Sequence, residues 1–380
     1  MRDLNFFEIY FVFFFLLTFA YTNGLRYLRK GLKKHNGPFR TDLPLVTIVV
    51  SMHNEEHNVH GCLDALVHLD YPVEKLEIII VDDRSKDRTP RIIAEFSSKY
   101  DFIKTMTIDE LNEGFAPKKY AIDSAVRSAC GEIILLTDAD GRPQPGWVRQ
   151  MVSFFTEETG MVIGYAPYSD PPPKNGFFNR LLSLEYLSHA AVAAATSGLG
   201  YPVTCVGTNM AYRKSVFLQL DGFGKFKNIH TGDDDLFLQR VREETNWQIA
   251  YCTRQQSHVY NPPPDNIKKF FHQRLRYASK GLLYPWKISA VLSLFYMLEL
   301  ITLLTPLTFL IVPGFVLPWL AIVILKAVGE YLFFSKAATF LEDTRQLSLF
   351  PVAFLLHIPY VVVFGALGQI VRFEWGSRKS

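Results

Sequence analysis

Two short apolar runs, each ending in a cluster of acids, constrain this chain more than any other feature. Leu76-Glu77-Ile78-Ile79-Ile80-Val81 leads into Asp82-Asp83-Arg84-Ser85, and Glu132-Ile133-Ile134-Leu135-Leu136-Thr137 leads into Asp138-Ala139-Asp140. Runs of this length and β-branched content read as buried parallel strands. In an open α/β sheet the ligand site lies beyond the carboxyl ends of such strands, so both clusters are expected at one site. Asp138 and Asp140 stand two apart, which in extended chain turns both side chains the same way. Oxygen ligands so placed suit a divalent cation carrying phosphates.

The surrounding sequence keeps the same rhythm. Strands are expected at 45–51, 76–81, 103–108 and 132–137, alternating with helices at 55–69, 90–100, 118–128 and 146–156. That order predicts an α/β fold around a parallel, mostly doubly wound sheet. Beyond Gly160 the pattern loosens into a strand at 161–166, a break at Asp170-Pro171-Pro172-Pro173, a small-residue helix at 176–197, and strands at 210–213 and 248–252.

The two ends of the 380-residue chain are different material. Segments 6–21, 288–311, 316–334 and 349–371 are apolar enough to propose one N-terminal and about three C-terminal membrane helices. Residues 1–25 read as an anchor, because the first segment has a basic tail and lacks a small-residue cleavage site. Residues 26–44 form a basic linker whose Arg26, Arg29, Lys30, Lys33, Lys34 and Arg40 favour the cytoplasmic side, a bacterial inner membrane being the expected setting. Residues 45–264 make the catalytic domain, 265–287 an amphipathic interface helix, 288–371 the membrane helices and 372–380 a basic tail. Four full spans would leave Arg372, Arg378 and Lys379 outside, so one C-terminal segment is suspected to be re-entrant or interfacial. The segment at 316–334, with Lys326 and Glu330, is the suspect. A formal net charge of +3 gives no reason to expect a nucleic-acid partner, and four cysteines without a CxxC pair read as buried thiols.

Seven motifs in order resemble the inverting, nucleotide-sugar-dependent glycosyltransferases of family 2, which have the GT-A fold. They are the 46–56 strand and turn ending in Asn54-Glu55-Glu56, Val81-Asp82-Asp83-Arg84-Ser85-Lys86-Asp87-Arg88-Thr89, and Asn112-Glu113-Gly114-Phe115-Ala116-Pro117-Lys118-Lys119. Asp138-Ala139-Asp140, Gly207-Thr208-Asn209-Met210, Thr231-Gly232-Asp233-Asp234-Asp235-Leu236 and Gln273-Arg274-Leu275-Arg276-Tyr277 complete the set. The resemblance implies a GT-A nucleotide-sugar-binding sheet flanked by helices. Glu55, Asp82, Asp83, Asp138, Asn209 and one of Lys118 or Lys119 would meet the donor, with Gln273, Arg276 and Tyr277 clamping pyrophosphate and acceptor. Asp87 and Thr89 would cap the next helix, and the remaining basic residues of 267–283 would be solvated or bound to lipid headgroups. Asp138 and Asp140, with His258 as a third ligand, would hold Mn2+ or Mg2+; Asp233 or Asp234 would be the base. The expected activity is transfer from a nucleoside-diphosphate sugar, a UDP-sugar first, to a lipid or lipid-linked acceptor at the cytoplasmic membrane face. A processive polysaccharide synthase is the alternative, followed by a nucleotidyltransferase or a non-catalytic membrane subunit.

Overall fold

The computed structural model describes residues 6–33, 39–110, 112–169 and 176–371, together with the backbone of 374–375 and 378–379. The break at 170–173, Lys34, Arg372 and the side chains of Arg378 and Lys379 lie outside the described residues. Helix α1 (Phe6–Leu28) is followed by β1 (Val46–Met52), α2 (Val59–Val67), β2 (Leu76–Asp83), α3 (Thr89–Ser97), β3 (Ile103–Ile108), α4 (Pro117–Ser128) and β4 (Ile133–Leu136). Next come β5 (Arg142–Pro143), α5 (Trp147–Ser153), β6 (Thr159–Gly164), α6 (Phe177–Gly198), β7 (Met210–Arg213), α7 (Lys214–Gln219), α8 (Asp235–Glu244), β8 (Gln248–Cys252) and β9 (Val259–Tyr260). The chain closes with α9 (Ile267–Ala278), α10 (Trp286–Leu304), α11 (Val316–Phe340) and α12 (Phe350–Ile370).

Two compact units result, one of residues 33–174 and 192–263, the other of 1–32, 175–191 and 264–380. The first is built on a seven-stranded sheet in the order β3-β2-β1-β4-β7-β6-β8. β1, β2, β3 and β4 run parallel as expected, and every residue of β2 is buried, which is why its sequence is a nearly unbroken apolar run. The register sets Met52 beside Asp82, so the turn after β1 and the acids of β2 emerge at the same edge. β7 departs from the doubly wound expectation: it is antiparallel to both β4 and β6. Helix α2 starts at Val59 rather than near Glu55, because the intervening backbone is hydrogen-bonded elsewhere. Cys62, Cys205 and Cys252 are buried as expected, whereas Cys130 is exposed.

The second unit gathers the apolar helices. Among the described residues, four stretches, Phe6–Leu28, Trp286–Leu310, Pro313–Phe340 and Leu347–Ile370, are long and apolar enough to cross a membrane. α11 is an unbroken helix of 25 residues. Its charges are satisfied internally, with Lys326 Nζ 2.9 Å from Glu299 Oε1 and 2.8 Å from Glu330 Oε1. Tyr21 of α1 adds its hydroxyl to Glu330 at 2.9 Å.

Candidate active site

The carboxyl edge of the sheet unit carries a lysine held between two acids. Pro117 occupies the first turn of α4, where its missing N–H costs nothing, and the helix projects Lys118 back over the sheet edge. Lys118 Nζ lies 2.7 Å from Asp138 Oδ1, just beyond β4, and 2.7 Å from Asp233 Oδ2, just before α8. Burial opposes the charge on Lys118, but the two carboxylates overcome it and hold the amine firmly protonated. The second oxygen of Asp138 accepts from Thr208 Oγ1 at 2.6 Å. Asp140 is pushed up to about 7 by burial and then by the negative charges of Asp138 and Glu55. Glu55 is raised by its own burial, with Asp138 and Asp87 adding to the shift and Asn58 opposing it.

Asp233, Asp234 and Asp235, inseparable by sequence, do three different things. Asp234 caps α8, its Oδ1 accepting from the backbone N–H of Asp235 at 2.7 Å and its Oδ2 from that of Gly207 at 3.2 Å. Asp235 is buried within α8. Asp233 is paired with Lys118, which makes it a candidate base.

The turns after β1 and β2 are tied to one another. Asn54 and Arg84 both hold φ near +57°, at 57° and 58°, uncommon for residues with a Cβ. The backbone N–H of Asn54 donates to Ser85 Oγ at 2.9 Å and its Oδ1 accepts from the N–H of Lys86 at 2.8 Å. Asp87 and Thr89 were expected to cap α3, but its N-cap is Arg88 without a side-chain cap; Asp87 Oδ1 accepts the N–H of Thr89 at 2.9 Å, and both side chains reach the neighbouring turn. Thr89 Oγ1 accepts the N–H of Glu55 at 2.8 Å and Asp87 Oδ2 that of Glu56 at 3.0 Å. Within this brace Asp83 is buried, receiving Arg84 Nε at 2.7 Å, and Asp82 Oδ1 accepts from the N–H of Ser85 at 3.3 Å.

Three expected site residues are placed differently. Lys119 points into the fold and donates to the carbonyl of Phe226 at 2.7 Å, because adjacent helical residues diverge by about 100°. Asn209 is fully buried with its amide consumed. Its Nδ2 donates to the carbonyls of Tyr165 at 2.7 Å and Ser257 at 2.8 Å, and its Oδ1 accepts from Trp147 Nε1 at 2.9 Å. His258 is buried against the edges of Tyr165 and Tyr260, and among the described residues no three His, Cys, Asp or Glu side chains form a metal-holding group. Residues not singled out from sequence also shape the site. Thr208 orients Asp138, and Arg142 ties the Asp138–Asp140 loop to α2 through the carbonyls of Gly141 at 3.0 Å and Asn58 at 3.1 Å. A Cβ on Gly61 would lie 2.7 Å from Arg142 Nε, so that glycine makes room for the bridge.

In the helical unit, Gln273, Arg276 and Tyr277 sit on α9 and are all partly exposed. Arg274, expected to be solvated or lipid-bound, is instead buried.

An α/β sheet with acids and a lysine at its carboxyl edge defines the class, a GT-A-type domain. A mannosyltransferase from Pyrobaculum calidifontis, solved with GDP-Man and Mn2+, shares this fold at a TM-score of 0.55 and 19% identity. The superposition covers 92% of this chain and 98% of that one. Residues 47–220 match the profile of glycosyl transferase family 2, so this stretch of the chain is similar to that family. Among its relatives, the probable glycosyltransferase YdaM of Bacillus subtilis is 30% identical over 244 residues, 62% of this chain and 55% of that protein. The beta-monoglucosyldiacylglycerol synthase of Trichormus variabilis is 34% identical over 116 residues, 30% of this chain and 24% of that protein. The chain thus spans about half the length of the first relative and a quarter of the second.

Proposed function

We propose that this protein is a membrane-anchored inverting transferase that moves a sugar from a nucleoside-diphosphate sugar, a UDP-sugar first, to a lipid or lipid-linked acceptor. The observation that carries the reading is Lys118, 2.7 Å from both Asp138 and Asp233. It joins a residue suited to the donor's diphosphate with the acid assigned to the acceptor. In this reading Asp82 and Asp83 meet the nucleoside, Glu55 borders the phosphates, and Gln273, Arg276 and Tyr277 engage phosphate from α9. Asp233 accepts the proton of the attacking hydroxyl, and a single displacement inverts the anomeric carbon. Lys118, permanently protonated, supplies a fixed positive charge where negative charge grows on the leaving diphosphate.

Asp138 and Asp140 fit a divalent cation. Their donors are oxygens, and the negative charges of Asp138 and Glu55, which add to burial in pushing Asp140 up to about 7, are what a dication would offset. With two acids rather than three converging ligands, the diphosphate itself would complete the coordination. Such an ion, Mn2+ or Mg2+, neutralises charge on the departing nucleotide when bound.

The membrane setting rests on the four apolar helices, and the lipid acceptor on the kinship with a diacylglycerol glycosyltransferase. Arg26, Arg29, Lys30, Lys33 and Arg40 support a cytoplasmic side for the domain of 45–264 by the positive-inside rule. The test is nucleoside-diphosphate release by the detergent-solubilised chain with UDP- and GDP-sugars and lipid extract. Release from one donor, lost in Asp140→Ala, Asp233→Ala and EDTA samples, supports the reading. Silence with every donor from folded protein overturns it, and a product that grows by many sugars moves the assignment to a polymer synthase.

A further inference from the structure

We infer that Glu185 and Arg274 fix the side chain of Gln273 as a hydrogen-bond donor for a phosphate oxygen of the substrate, and so act as positioning residues. This rests on the reading above, in which Gln273 engages substrate. The Arg274 side chain is fully shielded from solvent. Its Nη2 is hydrogen-bonded to Glu185 Oε2 from α6, and Glu185 Oε1 accepts the hydroxyl of Tyr360 from α12 at 2.9 Å. His189, one turn along α6, brings its Nε2 to 3.6 Å from the same oxygen. The carboxylate is held well below its ordinary range, burial being outweighed by Arg274, His189 and Tyr360.

A buried ion pair adds little stability over apolar residues of the same size. What it does give is geometry, because the guanidinium is a rigid planar fork. With one arm fixed on Glu185, the other donates from Nη1 to Gln273 Oε1 at 2.7 Å. Arginine has no acceptor, so the amide oxygen must be the end facing it, and Gln273 Nε2 is directed away carrying two N–H donors. Gln273 and Arg276 stand three apart and share a face of α9. The helix itself is seated on α12. Gln369 Nε2 donates to the carbonyl of Ala278 at 2.8 Å, and a Cβ on Gly368 would lie 2.5 Å from that of Ala278. The donor pair of Gln273 is thus positioned by contacts reaching two other helices.

The test is a double-mutant cycle on the full-length chain, using Glu185→Gln, Gln273→Ala and the double variant, with KM and kcat measured for donor and acceptor separately. Glu185→Gln should raise the KM of the phosphate-bearing substrate about 10-fold, the loss of roughly one charge-assisted hydrogen bond, with a smaller change in kcat. In the Gln273→Ala background it should add less than about twofold, because it acts through Gln273. Multiplying effects in the double variant, or a Gln273→Ala enzyme with unchanged KM, would overturn the inference. Tyr360→Phe, which removes one hydrogen bond from Glu185 while keeping the charge pair, gives the same cycle at smaller amplitude should Glu185→Gln fail to fold. An inactive wild-type enzyme would instead refute the transferase reading, whereas an active one with an additive cycle refutes only the positioning role.

Discussion

Replacing Lys118 by methionine keeps the aliphatic stem and removes the only charge standing between Asp138 and Asp233 in this contact. At 2.7 Å and an effective dielectric near 20, each contact corresponds to about 6 kcal/mol of gross Coulomb energy. Desolvation of the amine, whose side chain is 16% exposed, cancels most of this, and truncating one partner of a buried pair typically costs about 3–5 kcal/mol. Asp138, at 34% exposure, recovers hydration once freed; Asp233, at 9%, recovers little. A loss of about 3 kcal/mol is therefore expected, most of it from Asp233 left buried and unpaired. Denaturant unfolding of the solubilised chain, followed by tryptophan fluorescence, measures it. The decisive variant is Lys118→Met combined with Asp233→Asn, which removes the stranded charge and should regain roughly half of the loss. If Asp233→Asn instead destabilises the Lys118→Met protein further, Lys118 is not neutralising Asp233 and the mechanism built on that contact fails. Lys118→Arg, keeping the charge, should lose less stability than Lys118→Met.

Glu77 on β2 accepts from Lys104 Nζ at 2.6 Å and from the backbone N–H of Cys130 at 2.7 Å, and is also bonded to Thr47 Oγ1. Burial opposes its ionisation, but these donors win and lower its pKa below the model-compound value of 4.5. A depressed carboxylate contributes stability above its unfolded pKa and loses it as pH falls through the folded one. Glu77→Gln should therefore cost about 2 kcal/mol at pH 7, with the gap to wild type closing below about pH 4 in parallel thermal melts; a gap independent of pH would refute the assignment. Asn209→Leu strands the Trp147 N–H and withdraws donors from two carbonyls, so a loss of about 3 kcal/mol is expected by chemical denaturation. A near-neutral result would show that Asn209 is not the brace its three hydrogen bonds describe.

The strands leading to the acids were legible because burial on both faces writes itself as an unbroken apolar run, as in β2. β7 was found as a strand but not as an antiparallel one, since four residues carry no record of their direction. Lys118 and Lys119 are chemically identical neighbours, and only the orientation of α4 sends one to the acids and the other to the Phe226 carbonyl. Likewise the order of duties among Asp233, Asp234 and Asp235 depends on where α8 begins, which composition leaves open. Arg274 looked like a solvated charge on an amphipathic helix; its partner, Glu185, lies 89 residues away in the sequence. Asp87 and Thr89 read as capping residues, yet their side chains bond Glu55 and Glu56 instead, which depends on two strands lying side by side.

In the membrane setting proposed above, the buried trio of Glu299, Lys326 and Glu330 bears on how the chain would be assembled in lipid. Lys326 and Glu330 are four apart on α11 and can neutralise one another within that helix. Glu299 has no such partner on α10, where it is the lone acid in an otherwise apolar stretch. Released alone into hydrocarbon, α10 would carry a penalty of a few kcal/mol for that charge. Delivered together with α11, it meets Lys326 at 2.9 Å and the penalty is offset. Biogenesis of this protein is therefore expected to hold α10 at the insertion machinery until α11 has been synthesised, making the hairpin the unit that enters the membrane.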